Sequence, residues 1–321
     1  MRATQANKTN SVSVWAALIA VWIVWGSTYL AIRYAVQSIP PFLMAAARHL
    51  TAGLILYAVQ RLRGDAPPTL RQWRSAAIIG VLMLTFGNGM VSWAEQRVYS
   101  GIAALLVGSV PIWIILLDWL VIRKQQADRS RRWMTASGIA VGFVGIVLLV
   151  GAGQFSRAGS GVDMVGAGAL VLGSVMWAGG SLYSRDADLP ESSLLGTGLE
   201  MISGGVGLVL LGTITGEWSR LNLAAVTPNS LLGLGYLITF GSLVGFAAYT
   251  WLLRAAPTAL VSTYAYVNPI VALVMGSVVG AEPLAPREVA AAAIIVGAVA
   301  LITLAQPARQ KALPEGASIA D

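Results

Sequence analysis

Long apolar runs alternate with short polar connectors along almost the whole chain. A membrane-spanning helix needs about 20 predominantly apolar residues, and ten runs come close to that length or reach it. The connectors between them carry turn chemistry, as in Ile39-Pro40-Pro41 and Thr227-Pro228-Asn229. We therefore predict an all-α membrane protein with ten transmembrane helices, at residues 14–36, 42–60, 75–93, 100–122, 133–150, 164–183, 193–213, 230–252, 258–280 and 289–305.

Composition supports a membrane protein and leaves little room for catalysis. Hydrophobic residues make up 56% of the chain and charged residues only 11%, against roughly 25% charged in soluble domains. Cysteine is absent and histidine occurs once, which excludes disulfides, thiolate nucleophiles and metal sites built on Cys and His. The sequence has no phosphate-binding loop, nucleophile elbow or zinc-binding His pair. We expect no cofactor and no enzymatic activity.

The distribution of basic residues predicts the orientation. Lys and Arg accumulate on the cytoplasmic side of membrane proteins, and an even number of spans puts both termini on one side. With both termini in the cytoplasm, fifteen of the 21 basic residues lie in inner segments and five in outer ones, leaving Arg48 within a span. This bias predicts a bacterial inner-membrane protein with cytoplasmic termini. It also explains the net charge of +7 without a nucleic-acid partner.

The two halves of the chain resemble each other. Trp25–Arg33 runs parallel to Trp177–Arg185 at an offset of 152 residues, and Pro111 parallels Pro269 at an offset of 158. Each half has five predicted spans, so the second half enters the membrane inverted relative to the first. We predict a cytoplasmic N-terminal segment (1–13), a first five-helix repeat (14–151), a periplasmic linker (152–163), a second, inverted repeat (164–305) and a disordered cytoplasmic tail (306–321).

Two inverted halves suit a solute carrier, because they can exchange conformations around a site at their interface. A passive channel is a rival interpretation. An intramembrane enzyme is a weaker one, since the sequence offers no convincing nucleophile or metal cluster.

Several motifs resemble a known transporter family. They are Trp25-Gly26-Ser27-Thr28, Arg48, Ala94-Glu95 with Tyr99 and Pro111, and the matching Pro269, Glu282 and Gly297. Together they resemble the duplicated EamA domain of the drug/metabolite transporter superfamily, over residues 14–305. The resemblance implies a ten-helix bundle around a central cavity lined mainly by spans one, three, four, six, eight and nine. It also implies export of amino acids or other metabolites, with the aromatic amino-acid exporters as the most similar branch.

One departure from the family concerns the end of the fourth span. The family often has a Glu-Arg pair there, whereas this chain reads Ile122-Arg123-Lys124-Gln125. The first half therefore lacks the acid at this position, whereas Glu282 provides the corresponding acid in the second half.

Polar and aromatic residues within the spans are candidates for substrate binding, because polar groups in a membrane tend to face an interior cavity. Trp25 and Tyr29 are four residues apart on one helix face, as are Tyr264 and Asn268. Such a site would offer hydrogen bonds and aromatic surfaces rather than fixed charge. Interfacial aromatic belts and interhelical hydrogen bonds are the alternatives. The predicted binding residues are Trp25, Thr28, Tyr29, Asn88, Ser109, Trp177, Ser181, Tyr264 and Asn268.

Two prolines and four ionisable residues also lie within predicted spans. Pro111 and Pro269 remove backbone donors inside helices, so they are candidate hinges or static kinks. His49 and Glu200 are candidates for proton coupling, whereas Arg48 and Asp118 fit structural anchoring better. The six residues are Pro111, Pro269, His49, Glu200, Arg48 and Asp118.

Sequence and resemblance together predict an exporter of amino acids, aromatic and other neutral ones, with broad specificity, and of related metabolites. A nucleotide-sugar, sugar or drug carrier of the same fold is the alternative. Phosphate-bearing substrates favour clustered cationic groups at the cavity, and apart from Arg48 the sequence indicates none there. The expected partners are a small-molecule substrate and the lipid bilayer, and nothing indicates an obligate protein partner.

Overall fold

The computed structural model describes residues 11–121, 129–151, 163–256, 258–261 and 263–305. All regular secondary structure within these ranges is helical. Residues 1–10, residues 152–162 of the predicted linker (152–163) and the predicted tail (306–321) lie outside the described residues, as does Ile122-Arg123-Lys124-Gln125.

Helices cover the five predicted spans of the first half. They are α1 (Ser11–Ala35), α2 (Pro41–Leu62), α3 (Leu70–Ile79), a first π segment (Gly80–Asn88), α4 (Gly89–Ala94), α5 (Ser100–Val107), α6 (Val110–Val121) and α7 (Arg129–Gly151).

Helices also cover the five predicted spans of the second half. They are α8 (Met164–Tyr183), α9 (Ser193–Ile214), α10 (Glu217–Arg220), a 3₁₀ turn (Leu223–Ala225), α11 (Pro228–Tyr236), a second π segment (Leu237–Val244), α12 (Gly245–Ala255), α13 (Thr258–Val261), α14 (Tyr264–Val278) and α15 (Pro286–Ala305).

Capping side chains fix where several of these helices begin. Asp163 accepts the Gly166 N–H at 2.6 Å at the start of α8, and Thr227 accepts the Ser230 N–H at 3.3 Å at the start of α11. Pro228 fits the first helical residue because its missing N–H has no partner within the helix there.

Among the described residues, seven helical stretches are long and apolar enough to cross a membrane. They coincide with the first four, the sixth, the seventh and the eighth predicted spans. Shorter apolar helices cover Ala136–Leu149 and Tyr264–Val278 in the fifth and ninth, and α15 covers the tenth. The prediction of an all-helical membrane protein is confirmed.

The third and eighth predicted spans each contain a π segment in their middle. A π segment has i→i+5 backbone hydrogen bonds in place of the i→i+4 bonds of an α-helix, and it is frequent at functional sites. The two segments lie at equivalent places in the two halves of the chain.

Helix packing joins the halves throughout the bundle. Helix α2 packs on α9, α7 on α15, α1 on α14, and α6 on α8. Small residues allow close approach. A Cβ on Gly53 of α2 would lie 2.9 Å from the Gly198 carbonyl of α9, and one on Gly108 would lie 2.9 Å from the Pro269 ring.

The two candidate hinges differ in their surroundings. Pro269 lies inside α14, as predicted. Pro111 is instead the second residue of α6, after a break in the helix at Gly108 and Ser109. In the first turn of a helix a missing N–H leaves no internal hydrogen bond unmade, so Pro111 begins a helix rather than interrupting one.

Candidate functional site

An aromatic cluster surrounds Trp25 of α1. Its ring centroid lies 5.3 Å from Phe246, 5.1 Å from Tyr249 and 5.3 Å from Tyr264, and Tyr249 and Tyr264 are 5.7 Å apart. Aromatic pairs at such distances are stabilising. The partners come from α12 and α14, so a residue of the first half is enclosed by residues of the second.

The second π segment holds the indole of Trp25 by backbone contacts. Trp25 Nε1 donates to the Gly241 carbonyl at 3.2 Å. At Gly245 an added Cβ would overlap the indole, so the absence of a side chain there makes room for it. The Thr28 methyl and the Arg48 Nη2 also approach Gly241, at 3.0 Å and 3.3 Å from where its Cβ would be.

Two consecutive residues of α2 reach both π segments. Arg48 Nε donates to Ser242 Oγ at 3.0 Å in the second π segment. His49 Nε2 lies 3.2 Å from Asn88 Oδ1 at the end of the first, with the ring nitrogen donating in the matching tautomer. Both α2 side chains are buried. One turn of α2 therefore connects the two halves at the centre of the bundle.

Glu95 is a buried acid at the end of α4, with only 1% of its surface exposed. Neither of its carboxylate oxygens has a hydrogen-bond partner within the part of the chain that the structure describes. Tyr29, Arg48, Arg33 and Glu282 all lie close enough to interact with it electrostatically. Its carboxylate therefore lies buried near charged groups without a hydrogen bond to any of them.

An ion-pair network closes the end of the bundle where α1 ends, which we call the Arg33 end. Arg33 Nε lies 3.1 Å from Glu282 Oε1, and the guanidinium stacks on the Tyr99 ring at 4.6 Å. Glu282 also accepts the Ser100 N–H at 3.1 Å and the Ser100 hydroxyl at 2.8 Å. A left-handed backbone at Ala281, with φ of 49°, turns the chain towards this acid.

A second ion pair lies at the opposite end of the bundle. Arg185 Nη1 is 3.0 Å from Asp118 Oδ1. Because Ser100–Asp118 is a helical stretch of 19 residues that begins at the Arg33 end, Asp118 lies across the bundle from it. The side chain of Asp118 is 23% exposed, against 7% for Glu282. We call this the Arg185 end.

The structure brings together only some of the predicted binding residues. Trp25, Thr28 and Tyr264 meet around the second π segment, and Asn88 meets His49 nearby. In the amide orientation that satisfies its hydrogen bonds, Asn268 donates to the carbonyls of Trp22 and Tyr264, both at 3.3 Å. Its side chain therefore links α1 to α14.

Other predicted residues lie elsewhere. Trp177 packs beside Gly87 and the apolar cluster that includes Met201, and Ser181 donates to the Trp177 carbonyl at 2.8 Å within its own helix. Ser109 is buried and accepts the Trp113 Nε1–H at 3.1 Å.

Glu200 lies within α9, where its backbone carbonyl packs against Gly80 of the first π segment. No ion pair engages its carboxylate among the described residues.

Sequence reasoning missed several residues of the site. Ser242 lies within the second π segment, and Phe246 and Tyr249 follow it. The wider π turn changes which side chains face inward. Glu95 and Arg33 lie at the edges of predicted spans and were assigned to connectors. Glu95 carried a usable signal, because it belongs to the motif on which the family resemblance rests.

No group of His, Asp and Glu side chains within the described ranges could hold a metal ion. A small, open cleft lies at the Arg33 end between Gly101, Leu273 and Glu282, and Trp25 does not line it.

Comparisons with known proteins agree with this architecture. Over 290 residues the chain is 42% identical to a protein of Escherichia coli (strain K12) named uncharacterized inner membrane transporter YedA, covering 90% of each chain. A protein of Streptantibioticus cattleyicolor named probable terminal-alkyne amino-acid exporter is 25% identical over 293 residues, covering 91% of this chain and 93% of its own. A solved crystal structure superposes with a TM-score of 0.59 at 22% identity, over 93% of this chain and 99% of its own, a likeness of fold alone.

The family itself is matched twice along the chain, over residues 12–151 and 164–304, as the EamA-like transporter family. The two matches coincide with the two halves whose residues meet at Trp25, and family and relatives are named as transporters rather than enzymes. The chain is a multi-pass inner membrane transporter and belongs to the EamA-like transporter family.

Proposed function

We propose that this transporter exports amino acids, aromatic and other neutral ones, with broad specificity, and related metabolites. Transport would proceed by alternating access of two inverted five-helix repeats, residues 14–151 and 164–305, around a central site. The observation that carries the proposal is the enclosure of Trp25, from the first matched half, by Phe246, Tyr249 and Tyr264 of the second.

The packing of helices supports the inverted repeat. Helices α1 and α8 are repeat mates, as are α14 and α6, so the contact of α1 with α14 has its counterpart in the contact of α8 with α6. The contacts of α2 with α9 and of α7 with α15 each join two repeat mates. The two π segments are repeat mates as well. A carrier of this kind needs two halves that can adopt each other's conformation.

The two ion pairs support alternating access. Arg33 and Arg185 are repeat mates. Their acids belong to repeat-mate segments as well, since Glu282 follows the ninth span and Asp118 lies near the end of the fourth. Asp118 thus supplies an acid in the first half, one turn before the segment where the family acid is missing. With cytoplasmic termini, the Arg33 end would face the periplasm and the Arg185 end the cytoplasm.

The residues around the site favour an uncharged or zwitterionic solute. Aromatic rings from three helices suit aromatic and methyl-bearing side chains by stacking and dispersion. Arg33 is already paired with Glu282, which disfavours a phosphate-bearing substrate, since phosphate binding favours clustered cations that are free to bind it. The S. cattleyicolor relative is named for an amino acid. Proton coupling through His49 or Glu200 stays a prediction.

Counterflow in proteoliposomes tests the proposal. Vesicles containing the purified protein are preloaded with unlabelled phenylalanine and given radiolabelled phenylalanine outside. Saturable accumulation of label is expected, and Trp25→Ala should reduce it about tenfold through loss of aromatic contacts. Trp133→Ala is the control, since Trp133 is 68% exposed on α7. No accumulation with any amino acid, in folded protein, would rule out the substrate class, and unsaturable flux would indicate a channel.

A further inference from the structure

We propose that Arg48 and Glu95 bind the two charged ends of a zwitterionic substrate. The Arg48 guanidinium would hold the carboxylate and the Glu95 carboxylate would hold the ammonium group. This inference rests on the proposed function and extends it, because it specifies that the free α-carboxylate and α-ammonium groups are what the site recognises.

Arg48 is 4% exposed, yet its charge is only partly satisfied. Its Nε donates to Ser242, whereas no hydrogen bond or ion pair of the described residues engages its two terminal nitrogens. These nitrogens form the face of guanidinium that binds carboxylates through two parallel hydrogen bonds. Arg48 is therefore held by one nitrogen with its carboxylate-binding groups free.

Glu95 has the opposite charge to Arg48, and its charged group also lacks a partner within the described ranges. It is a buried carboxylate without a hydrogen-bond donor among the described residues. The Arg33 guanidinium donates to the Glu95 main-chain carbonyl at 3.3 Å, but its ion pair is with Glu282. The nearest cation is thus already engaged, and the Glu95 side chain remains available.

Arg48 and Glu95 share one region without touching. Each interacts electrostatically with the other and with Tyr29, but no ion pair joins them directly. Burying an unpaired ionised group is unfavourable. Two opposite unpaired charges that lie close enough to interact are both stabilised if a ligand enters with the reversed arrangement, as a zwitterion does.

The charged residues also adjoin the aromatic cluster. The Arg48 Nη2 approaches Gly241, whose carbonyl accepts the Trp25 Nε1–H. A substrate carboxylate on Arg48 would therefore place the rest of an amino acid beside Trp25. Tyr29 lies four residues further along the same face of α1 and interacts with both charged groups.

The test compares phenylalanine with two derivatives that each lack one charge. N-acetylphenylalanine has no ammonium group, and phenylalaninamide has no carboxylate. Each is used unlabelled to inhibit counterflow of radiolabelled phenylalanine by the wild-type protein and by Glu95→Gln and Arg48→Gln. Arg71→Gln and Glu191→Gln are matched controls at exposed residues.

For the wild type, unlabelled phenylalanine should inhibit counterflow at least about tenfold more strongly than either derivative. Glu95→Gln should lose the preference over N-acetylphenylalanine and keep the preference over phenylalaninamide, and Arg48→Gln should do the reverse. Unchanged preferences in both variants would overturn the inference while the proposed function stands. Absence of phenylalanine counterflow in the wild type would overturn both.

A proton site at Glu95 gives a different result. The titratable and charged groups that interact electrostatically with this carboxylate are Tyr29, Arg33, Arg48 and Glu282. If Glu95→Gln altered only the pH profile of counterflow and left both preferences intact, the residue would carry a proton and the inference would be wrong.

Conservative variants keep the test decisive where a glutamine variant does not fold. Glu95→Asp should weaken inhibition by phenylalanine but not by N-acetylphenylalanine, and Arg48→Lys should weaken inhibition by phenylalanine but not by phenylalaninamide. If inhibition by phenylalanine and inhibition by the derivative were weakened equally, the inference would be contradicted.

Discussion

Glu217 holds the beginning of α2 from a distant part of the chain. Its fully buried carboxylate accepts the Leu43 N–H at 2.9 Å, one of the free donors of the first helical turn. Arg220 lies 3.8 Å from the other oxygen. Burial raises the pKa of Glu217, while the backbone N–H groups of Leu43 and Phe42 and the charge of Arg220 lower it.

Substitutions of Glu217 should distinguish its role as a hydrogen-bond acceptor for the first turn of α2 from the effect of its charge. Glu217→Ala removes the acceptor and should cost about 1 kcal/mol, measured as a lower unfolding midpoint of the purified protein. Glu217→Gln keeps an acceptor and should have little effect at pH 7. Since the folded pKa is raised, the wild type should gain stability relative to Glu217→Gln as pH falls from neutral towards the ordinary Glu value. A wild type that instead loses stability relative to Glu217→Gln over that range would contradict the raised pKa.

Gly245 allows the Trp25 indole to lie against the beginning of α12. Gly245→Ala would drive a methyl group into the ring, so we expect Trp25 to shift and the affinity for phenylalanine in counterflow to fall severalfold. Gly235→Ala, where nothing lies within 4 Å of an added Cβ, should retain wild-type affinity and stability. Equal behaviour of the two variants would show that the Trp25 ring is not confined.

At the scale of elements, the fourth and ninth spans are interrupted in different ways. The fourth is divided into α5 and α6 at Gly108 and Ser109, just before Pro111. The ninth keeps Pro269 within α14, where the ring removes an internal hydrogen bond. Gly108 and Pro269 also contact each other.

The two prolines should therefore differ on substitution. Pro269→Ala restores the missing donor in α14 and should slow counterflow, because a hinge or a kink at that residue is lost. Pro111→Ala changes the first turn of α6 and should alter the rate less. Equal rates for both variants and the wild type would exclude a hinge at either proline.

The location of the helices was predictable, because apolar run length alone determines where a chain can cross a membrane. The π segments were not, since the same apolar residues suit α and π geometry. This limited the site prediction: Trp25 and Tyr264 could be found from polarity and spacing, whereas Ser242 and Tyr249 depend on the π turn. Glu95 was assigned to a connector because its burial arises only from tertiary packing.

At the scale of the whole molecule, an ion pair closes each end of the bundle. The Arg33–Glu282 pair is reinforced by Ser100 and Tyr99. The Arg185–Asp118 pair is more exposed, so salt and solvent weaken it more.

Breaking one pair should open its own end. The chain has no cysteine, so Thr28→Cys provides a single reporter beside Gly241. Glu282→Gln should increase labelling of this cysteine severalfold by an impermeant maleimide from the Arg33 end, and Asp118→Asn should increase it from the Arg185 end. Arg97→Gln, which breaks a 3.7 Å pair with Asp163, is the control. Increased labelling from the wrong end would refute the assignment of these pairs as gates.

The paired π segments bear on the chain's tolerance of deletions. A π segment accommodates one extra residue within a helix, with i→i+5 hydrogen bonds in place of the i→i+4 bonds of an α-helix. Removing one residue from it would restore α geometry locally, while the α-helical turns on either side keep their packing. Each π segment is thus a point where a membrane helix can lose a residue and remain a helix. In the first, that loss would shift the side chains of Gly80–Asn88, including Asn88, which meets His49.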